Sequence, residues 1–277
     1  STASDAADML FFTEPSGGSI EERMRIDSGG SVGIGTGSPA VQNNGAGIVL
    51  DLANTGSAST TADNAELVVR SSSRYAALTF ITPTDKASTI NFGDTADSNI
   101  GIIQYDHAND AMSFNTNAAE RMRINSAGIV TKPYQPAFSA CLGAEQANLP
   151  VATTTILFSS EIFDQNSDFN TSTYTFTAPV TGKYQFNISI RVDNMDQGAS
   201  YHRLKLVTSN GDYQPTIMGN GDAFNSDLAY FFFTMPVLAD MDSGDTAYVQ
   251  FQVNGGAAQA VIHASRPNAN FSGYLVA

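Results

Sequence analysis

The chain has no tryptophan, one cysteine, three histidines and only 14% charged residues. Each shortage excludes something. A lone thiol, Cys141, cannot close an intrachain disulfide, so stability must come from burial or from association. It lies in Phe138-Ser139-Ala140-Cys141-Leu142, which alternates like a strand, and reads as a buried inert thiol rather than a nucleophile. His107, His202 and His263 are far apart and form no metal-ligand pattern, so structural or surface roles are expected. There is no run of 18 apolar residues to cross a membrane as a helix. No stretch holds a 3.6-residue apolar period for three turns, and Gly, Ser, Thr, Asn and Ala fill the gaps between short apolar runs. These features predict an all-β chain with many turns. Cations are scarce, 13 Lys and Arg against 27 Asp and Glu. The net charge of −14 argues against binding a nucleic-acid backbone and favours solubility. The opening Ser1-Thr2-Ala3-Ser4-Asp5 has neither Met nor a charged-then-apolar leader and reads as a fragment or processed form.

What is present is an exact internal repeat. Glu-Arg-Met-Arg-Ile occurs at Glu22–Ile26 and again at Glu120–Ile124, and each copy runs into a small-residue, glycine-containing tail. Repeats of this kind mark modular, elongated proteins. The repeat divides the chain into residues 1–131, with copies at 22–36 and 120–131, and residues 132–277. Val32 and Ile34 alternate with Gly33 and Gly35, leaving one face without side chains, as at a closely packed seam. The Gly-x-Gly there is not a dinucleotide loop, because Pro39 and Asn43-Asn44-Gly45 stand where a helix would be needed. Short strands are expected at Met9–Phe12, Arg23–Ile26, Ile48–Leu52, Leu67–Arg70, Ala77–Ile81, Thr89–Phe92, Ile100–Tyr105 and Met112–Asn115. A hairpin is expected about Ala108-Asn109-Asp110. One copy of this region has little apolar mass, so neighbours from other chains would have to cover its strands.

Ile90-Asn91-Phe92-Gly93-Asp94, Asn99–His107, Met112-Ser113-Phe114 and Glu120–Ile124 resemble shaft segments of bacteriophage tail-fibre and related virion fibre proteins. So does the first repeat through Val32-Gly33-Ile34-Gly35-Thr36. The resemblance covers about residues 9–131 and implies a homotrimeric shaft of interwoven β-structure.

From Lys132 onward aromatics are denser and strands longer. Tyr184–Ile190 and Tyr248–Val253 alternate cleanly. Eight strands are expected, at about 136–142, 172–178, 183–192, 201–208, 227–235, 246–253, 258–264 and 270–276, which suits a two-sheet jelly roll. Phe138-Ser139-Ala140, Tyr174 through Gly182-Lys183-Tyr184-Gln185-Phe186, Asp242–Val249 and Phe271-Ser272-Gly273-Tyr274-Leu275 arrive in the order found in the complement-q globular heads. The region from about 133 to 277 therefore resembles that family, with its tumour-necrosis-factor-like jelly roll. The resemblance implies a trimeric recognition head on a stalk; no Gly-X-Y collagen repeat exists, so a fibre shaft takes the stalk's place. The expected fold is all-β, an interwoven trimeric β shaft followed by an eight-to-ten-stranded jelly-roll head.

Several constellations bear on function. Asp240-Met241-Asp242-Ser243-Gly244-Asp245 fails as an EF-hand, with Asp245 at position six and Phe251 at position twelve, and reads as a turn. No Gly-x-Ser-x-Gly elbow exists, and no carboxylate pair points to glycan hydrolysis. Tyr230-Phe231-Phe232-Phe233 is too apolar for a solvated strand. Phe231, Phe233, Tyr248, Phe251 and Tyr274 are candidates for the trimer interface or core. Alternation of eight strands places the loops at about 143–171, 193–200, 236–245 and 265–269 at the end distal to the shaft. Asp193, Asn194, Asp196, Gln197, Arg266 and Asn268 there are candidate receptor-binding residues. The expectation is a non-enzymatic virion fibre protein. It would form a homotrimer with itself, bind a host surface glycan or protein receptor, and meet other virion proteins through its N-terminal part. No cofactor, nucleic acid or membrane insertion is expected. The alternatives are a capsid or baseplate fibre whose head drives trimerisation, and a polysaccharide depolymerase.

Overall fold

The computed structural model describes residues 7–14, 16–29, 32–34, 50–52, 78–219, 226–264 and 268–277. All regular structure among them is β, in two compact units that meet in sequence at Thr79 and Phe80.

The first unit is a four-stranded sheet of β1 (Met9–Thr13), β2 (Glu21–Ile26), β3 (Val32–Ile34) and β4 (Leu50–Leu52), in that order. In the second unit β5 (Ala87–Phe92), β6 (Gly101–Asp106), β7 (Ala111–Thr116), β8 (Ala119–Ile124) and β9 (Val130–Thr131) form an antiparallel meander. Asp106 organises the expected hairpin by accepting the Ala108 N–H and the Asn109 amide, and Asp110 adopts a φ of 46°. Residues 78–83 carry no strand, contrary to the expectation for Ala77–Ile81. Pro83 lies just beyond, and its carbonyl accepts the Lys86 N–H in a turn. Leu67–Arg70 lies outside the described residues.

The repeat is longer in three dimensions than in sequence. Phe11 pairs with Met24 and Phe12 with Glu22, skipping Arg23; Phe114 pairs with Met122 and Asn115 with Glu120, skipping Arg121. The same bulge thus sits at the same place in both copies. Arg25 grips Glu22 at 2.6 Å as Arg123 grips Glu120 at 2.5 Å, and each bulged arginine reaches a threonine hydroxyl, Thr13 or Thr116. Asp27 and Asn125 each cap the next turn, and Ile26↔Val32 matches Ile124↔Val130. The module is therefore three strands, not five residues. Its two copies differ in cover: β6 pairs along β7, whereas β1 is the edge of its sheet and exposes Met9, Leu10, Phe11 and Phe12.

Beyond β9 the chain forms a two-sheet sandwich. Its strands are β10 (Ala137–Cys141), β11 (Thr153–Thr155), β12 (Ser160–Asp164), β13 (Phe169–Asn170), β14 (Thr175–Thr177) and β15 (Gly182–Met195). They continue with β16 (Ala199–Thr208), β17 (Gly211–Gly219), β18 (Leu228–Met241), β19 (Thr246–Gly255), β20 (Val261–Ile262) and β21 (Ala269–Leu275). One sheet runs β12-β10-β21-β15-β18, with β20 on β15; the other runs β13-β14-β19-β16-β17, with β11 on β19. This is a jelly roll. β18 continues past Pro236 to Met241, beyond the expected end at 235. As the edge strand of its sheet it tolerates a residue with no N–H to donate. β17 is an unexpected strand. It is polar, contains Pro215, and lies on the other sheet's edge, where the register slips between Leu204 and Leu206.

Alternation along β19, along β15 from Tyr184 to Val192 and along β18 from Phe233 onward sends one side chain in two into the space between the sheets. Phe138 stacks on Phe169 at 4.9 Å and on Phe176 at 5.0 Å, and meets Phe271 edge-on at 5.0 Å. β21 passes this cluster at Gly273, where an added Cβ would lie 2.6 Å from the Phe186 ring and 2.9 Å from that of Phe138. The linker after β9 is tied to this sandwich. Gln165 donates to the Lys132 carbonyl at 2.7 Å, Asn166 to the Tyr134 carbonyl at 3.0 Å, and Arg121 lies over the Tyr134 ring.

Candidate functional site

Strand direction decides which loops can meet a partner at the sandwich's far end. Ala137 pairs with Tyr274 and Tyr274 with Gln185, so both ends of this domain lie together, at the base. Following β10 and β15 away from it leads to the tip. There lie the loop after Cys141, the β15–β16 turn, the start of β18, the β19–β20 connection and Asn268 just before β21. The expectation for 236–245 is corrected: Met241 pairs with Gly182, so this segment lies at the base. The reason is β17, an added strand that reverses the direction of the chain after it. Residues 265–267 lie outside the described residues, but Asn268 and Ala269 come out at the expected end because a second difference compensates. β20 and β21 both run antiparallel on β15 and count as one passage rather than two.

The candidate residues separate into different roles. Asp193 accepts hydrogen bonds from the Nε and Nη2 of Arg191, at 2.7 and 3.0 Å, while Arg191 also lies over Tyr230 at 4.8 Å. Asp196 accepts N–H groups from Gly198 and Ala257 and so ties the β15–β16 turn to the β19–β20 connection. Gly256 is required beside it, with a φ of 75° and an added Cβ 2.7 Å from the Ala199 nitrogen. Gln197 donates its backbone N–H to Asp227 at 3.0 Å. Asn268 contacts His263, which also faces Glu145 at 3.5 Å. Arg266 lies outside the described residues. Of these residues Asn194 lines a cavity.

That cavity is a cleft of about 380 Å³ lined by Asn148, Asn194, Asp227, Leu228, Ala229, Gln259 and Val261. Asn194 lies between the Asp193–Tyr230 and Met195–Leu228 pairs with a φ of 52°, and Asn148 has a φ of 51°. Asparagine tolerates this left-handed conformation better than most residues. Asp227 is fixed by the Gln197 N–H and by the Gln259 amide at 2.8 Å, and these two donors hold its carboxyl below the usual range, so it is ionised. Sequence reasoning missed Asn148, Asp227, Gln259 and Val261. They come from three separate connections, and each alone is an ordinary turn or strand-end residue.

The second surface is the outward face of the β12-β10-β21-β15-β18 sheet. Phe163, Tyr230, Phe232, Leu238 and Tyr274 stand on it, each 43–59% exposed. Of the aromatic candidates, Tyr274 lies on this face, Phe233 and Phe251 are in the core, and Phe231 stacks edge-on against Phe233 while 40% exposed. Tyr248 is half-buried on the outward face of the other sheet. Asp242, Asp245 and Asn210 form a base turn, with Asp245 accepting the Asp242 N–H and the Asn210 amide. Among the described residues no group of three or more His, Cys, Asp or Glu is placed to hold a metal ion.

Residues 137–276 match the C1q domain. The chain belongs to the C1q domain family. Similar solved structures include the globular domain of zebrafish complement 1qA, at 22% identity over 52% of this chain and 98% of that one, with a TM-score of 0.34. Murine APRIL is similar at 8% identity over 51% and 99%, and the Eiger TNF of S. frugiperda at 10% over 51% and 91%, both with a TM-score of 0.38. No curated protein matches the chain. C1q domains are globular heads, typically trimeric and typically binding modules rather than enzymes. The matched range begins with β10, so the meander precedes the C1q domain in sequence.

Proposed function

We propose that the protein is a homotrimeric virion fibre of a tailed bacteriophage whose C1q head attaches to a receptor on the host surface. The observation that carries the reading is the apolar outward face formed by Phe163, Tyr230, Phe232, Leu238 and Tyr274. A monomer would leave this face in water, whereas three copies around an axis bury it at a cost only in association entropy. The duplicated strand module supports the shaft: a repeat of fixed register and bulge lengthens a stalk by addition of like parts. Attachment is adhesion without bond chemistry. Three weak sites held on one rigid head bind together with far greater avidity than one. The part preceding the head would join other virion proteins.

Two measurements test this. The full chain in solution should have three times its 29.3 kDa mass, and it should compete with phage particles for adsorption to susceptible bacteria. A monomer removes the proposal. A trimer that blocks no adsorption favours instead a capsid or baseplate fibre whose head only registers the three chains, and release of reducing sugar from host polysaccharide would favour a depolymerase.

A further inference from the structure

From the chemistry lining the tip cleft we infer that the receptor is read there through a neutral, hydroxyl-rich group, a saccharide without acidic substituents. The inference rests on the adhesion reading above and names the ligand class of the head. Four of the seven lining side chains are polar, and they are three primary amides and one carboxylate. The Asn148 and Asn194 side chains make no hydrogen bond among the described residues, so each offers a carbonyl oxygen and an NH₂ group to a ligand. Asp227 is held in place by the Gln197 N–H and by the amide of Gln259, itself on the cleft wall, and its remaining lone pairs can accept hydroxyl protons. Leu228, Ala229 and Val261 supply an aliphatic wall against which the C–H face of a sugar ring can lie. Amides and a carboxylate suit vicinal hydroxyls, which donate and accept at once.

Charge narrows the class. Among the described residues no cation lines the cleft. Arg191 is committed to Asp193, and His263 faces Glu145. An ionised Asp227 on a chain of net charge −14 repels sialic, uronic and phosphorylated groups. The volume, about 380 Å³, lies near the lower end of small-ligand clefts and fits one or two sugar units rather than a peptide segment.

The experiment uses the full chain, immobilised neutral oligosaccharides of hexoses and N-acetylhexosamines, and sialylated and uronate-containing counterparts. The expected result is binding to at least one neutral class and weaker or no binding to the acidic ones. Ala229→Phe fills the cleft and Asp227→Asn removes the charged acceptor; each should weaken that binding about tenfold or more. Circular dichroism and solution mass identify a variant that fails only because it misfolds, and Lys86→Ala, an exposed residue that does not line the cleft, should bind like the wild type. Binding to no neutral saccharide, a preference for acidic ones, or undiminished binding by folded Ala229→Phe overturns the inference. Failure of the adhesion reading is distinct: the chain would bind the neutral panel through the cleft yet not compete for adsorption.

Discussion

Replacing Gly273 by alanine tests the packing that holds the head's two sheets together. The new Cβ would lie 2.6 and 2.8 Å from two carbons of the Phe186 ring and 2.9 Å from one of Phe138. Carbon atoms rest about 3.5–4.0 Å apart, so one ring or the strand must move by roughly 1 Å. Neither ring has room. Phe138 stacks on Phe169 and on Phe176 at 4.9 and 5.0 Å, and Phe186 is set against Phe176 and Phe271 at 5.6 and 5.8 Å. Overpacking of this kind costs about 1–3 kcal/mol. For a domain of this size each kcal/mol lowers the melting temperature by about 2–4 °C, so a fall of roughly 2–12 °C is expected. Thermal melts must be run at one protein concentration, because association shifts the midpoint. The double variant Gly273→Ala/Phe186→Leu supplies the missing space and should lose less than the two single losses added together. A single variant that melts with the wild type, or a double variant whose losses add, refutes the reasoning.

Leu238→Asp places a charge on the apolar outward face without touching the core, and should convert the proposed trimer to monomers by light scattering; an intact trimer would move the interface elsewhere. Asp168 has one oxygen buried without a partner, and burial, then the Asp164 charge, pushes its carboxyl up. A raised value in the folded state means its contribution is complete below the ordinary aspartate value of 3.8 and is lost as pH rises through the shifted value. Asp168→Asn should therefore be more stable than the wild type in urea at neutral pH, and the gain should vanish in acid; a gain independent of pH would contradict this. Arg123→Ala breaks a half-exposed bidentate pair with Glu120 and should cost less than about 1 kcal/mol, shrinking in high salt; a loss of several kcal/mol would give the repeat's ion pair a larger part than its exposure allows.

Much of the architecture was legible in the chain. Alternation in Tyr184–Ile190 and Tyr248–Val253 became β15 and β19, and the Phe138, Tyr184 and Phe271 motifs became the aromatic centre of the core. These signals are local, since a strand with one buried face must alternate. β17 left no such signal. An edge strand has little to bury, and its Pro215 and polar residues read as loop. Its omission reversed the end assigned to 236–245, because loop placement depends on the parity of every strand before it. The repeat also read shorter than it is. Met9, Phe11 and Thr13 correspond to Met112, Phe114 and Thr116, but intervening substitutions and an unequal turn conceal the match until pairing aligns it.

The sequence by itself determined an all-β chain without an intrachain disulfide, a repeated module ahead of an aromatic-rich domain, and that domain's family. Composition, period and motif order are properties of neighbouring residues and need no fold to be read. Only the tertiary structure decided that Phe233 faces inward while Phe232 faces out, and that Asn148, Asn194, Asp227 and Gln259 share one cleft. Both depend on register and on the meeting of distant loops. A single added strand or bulge changes which residues meet while leaving the pattern of each segment intact.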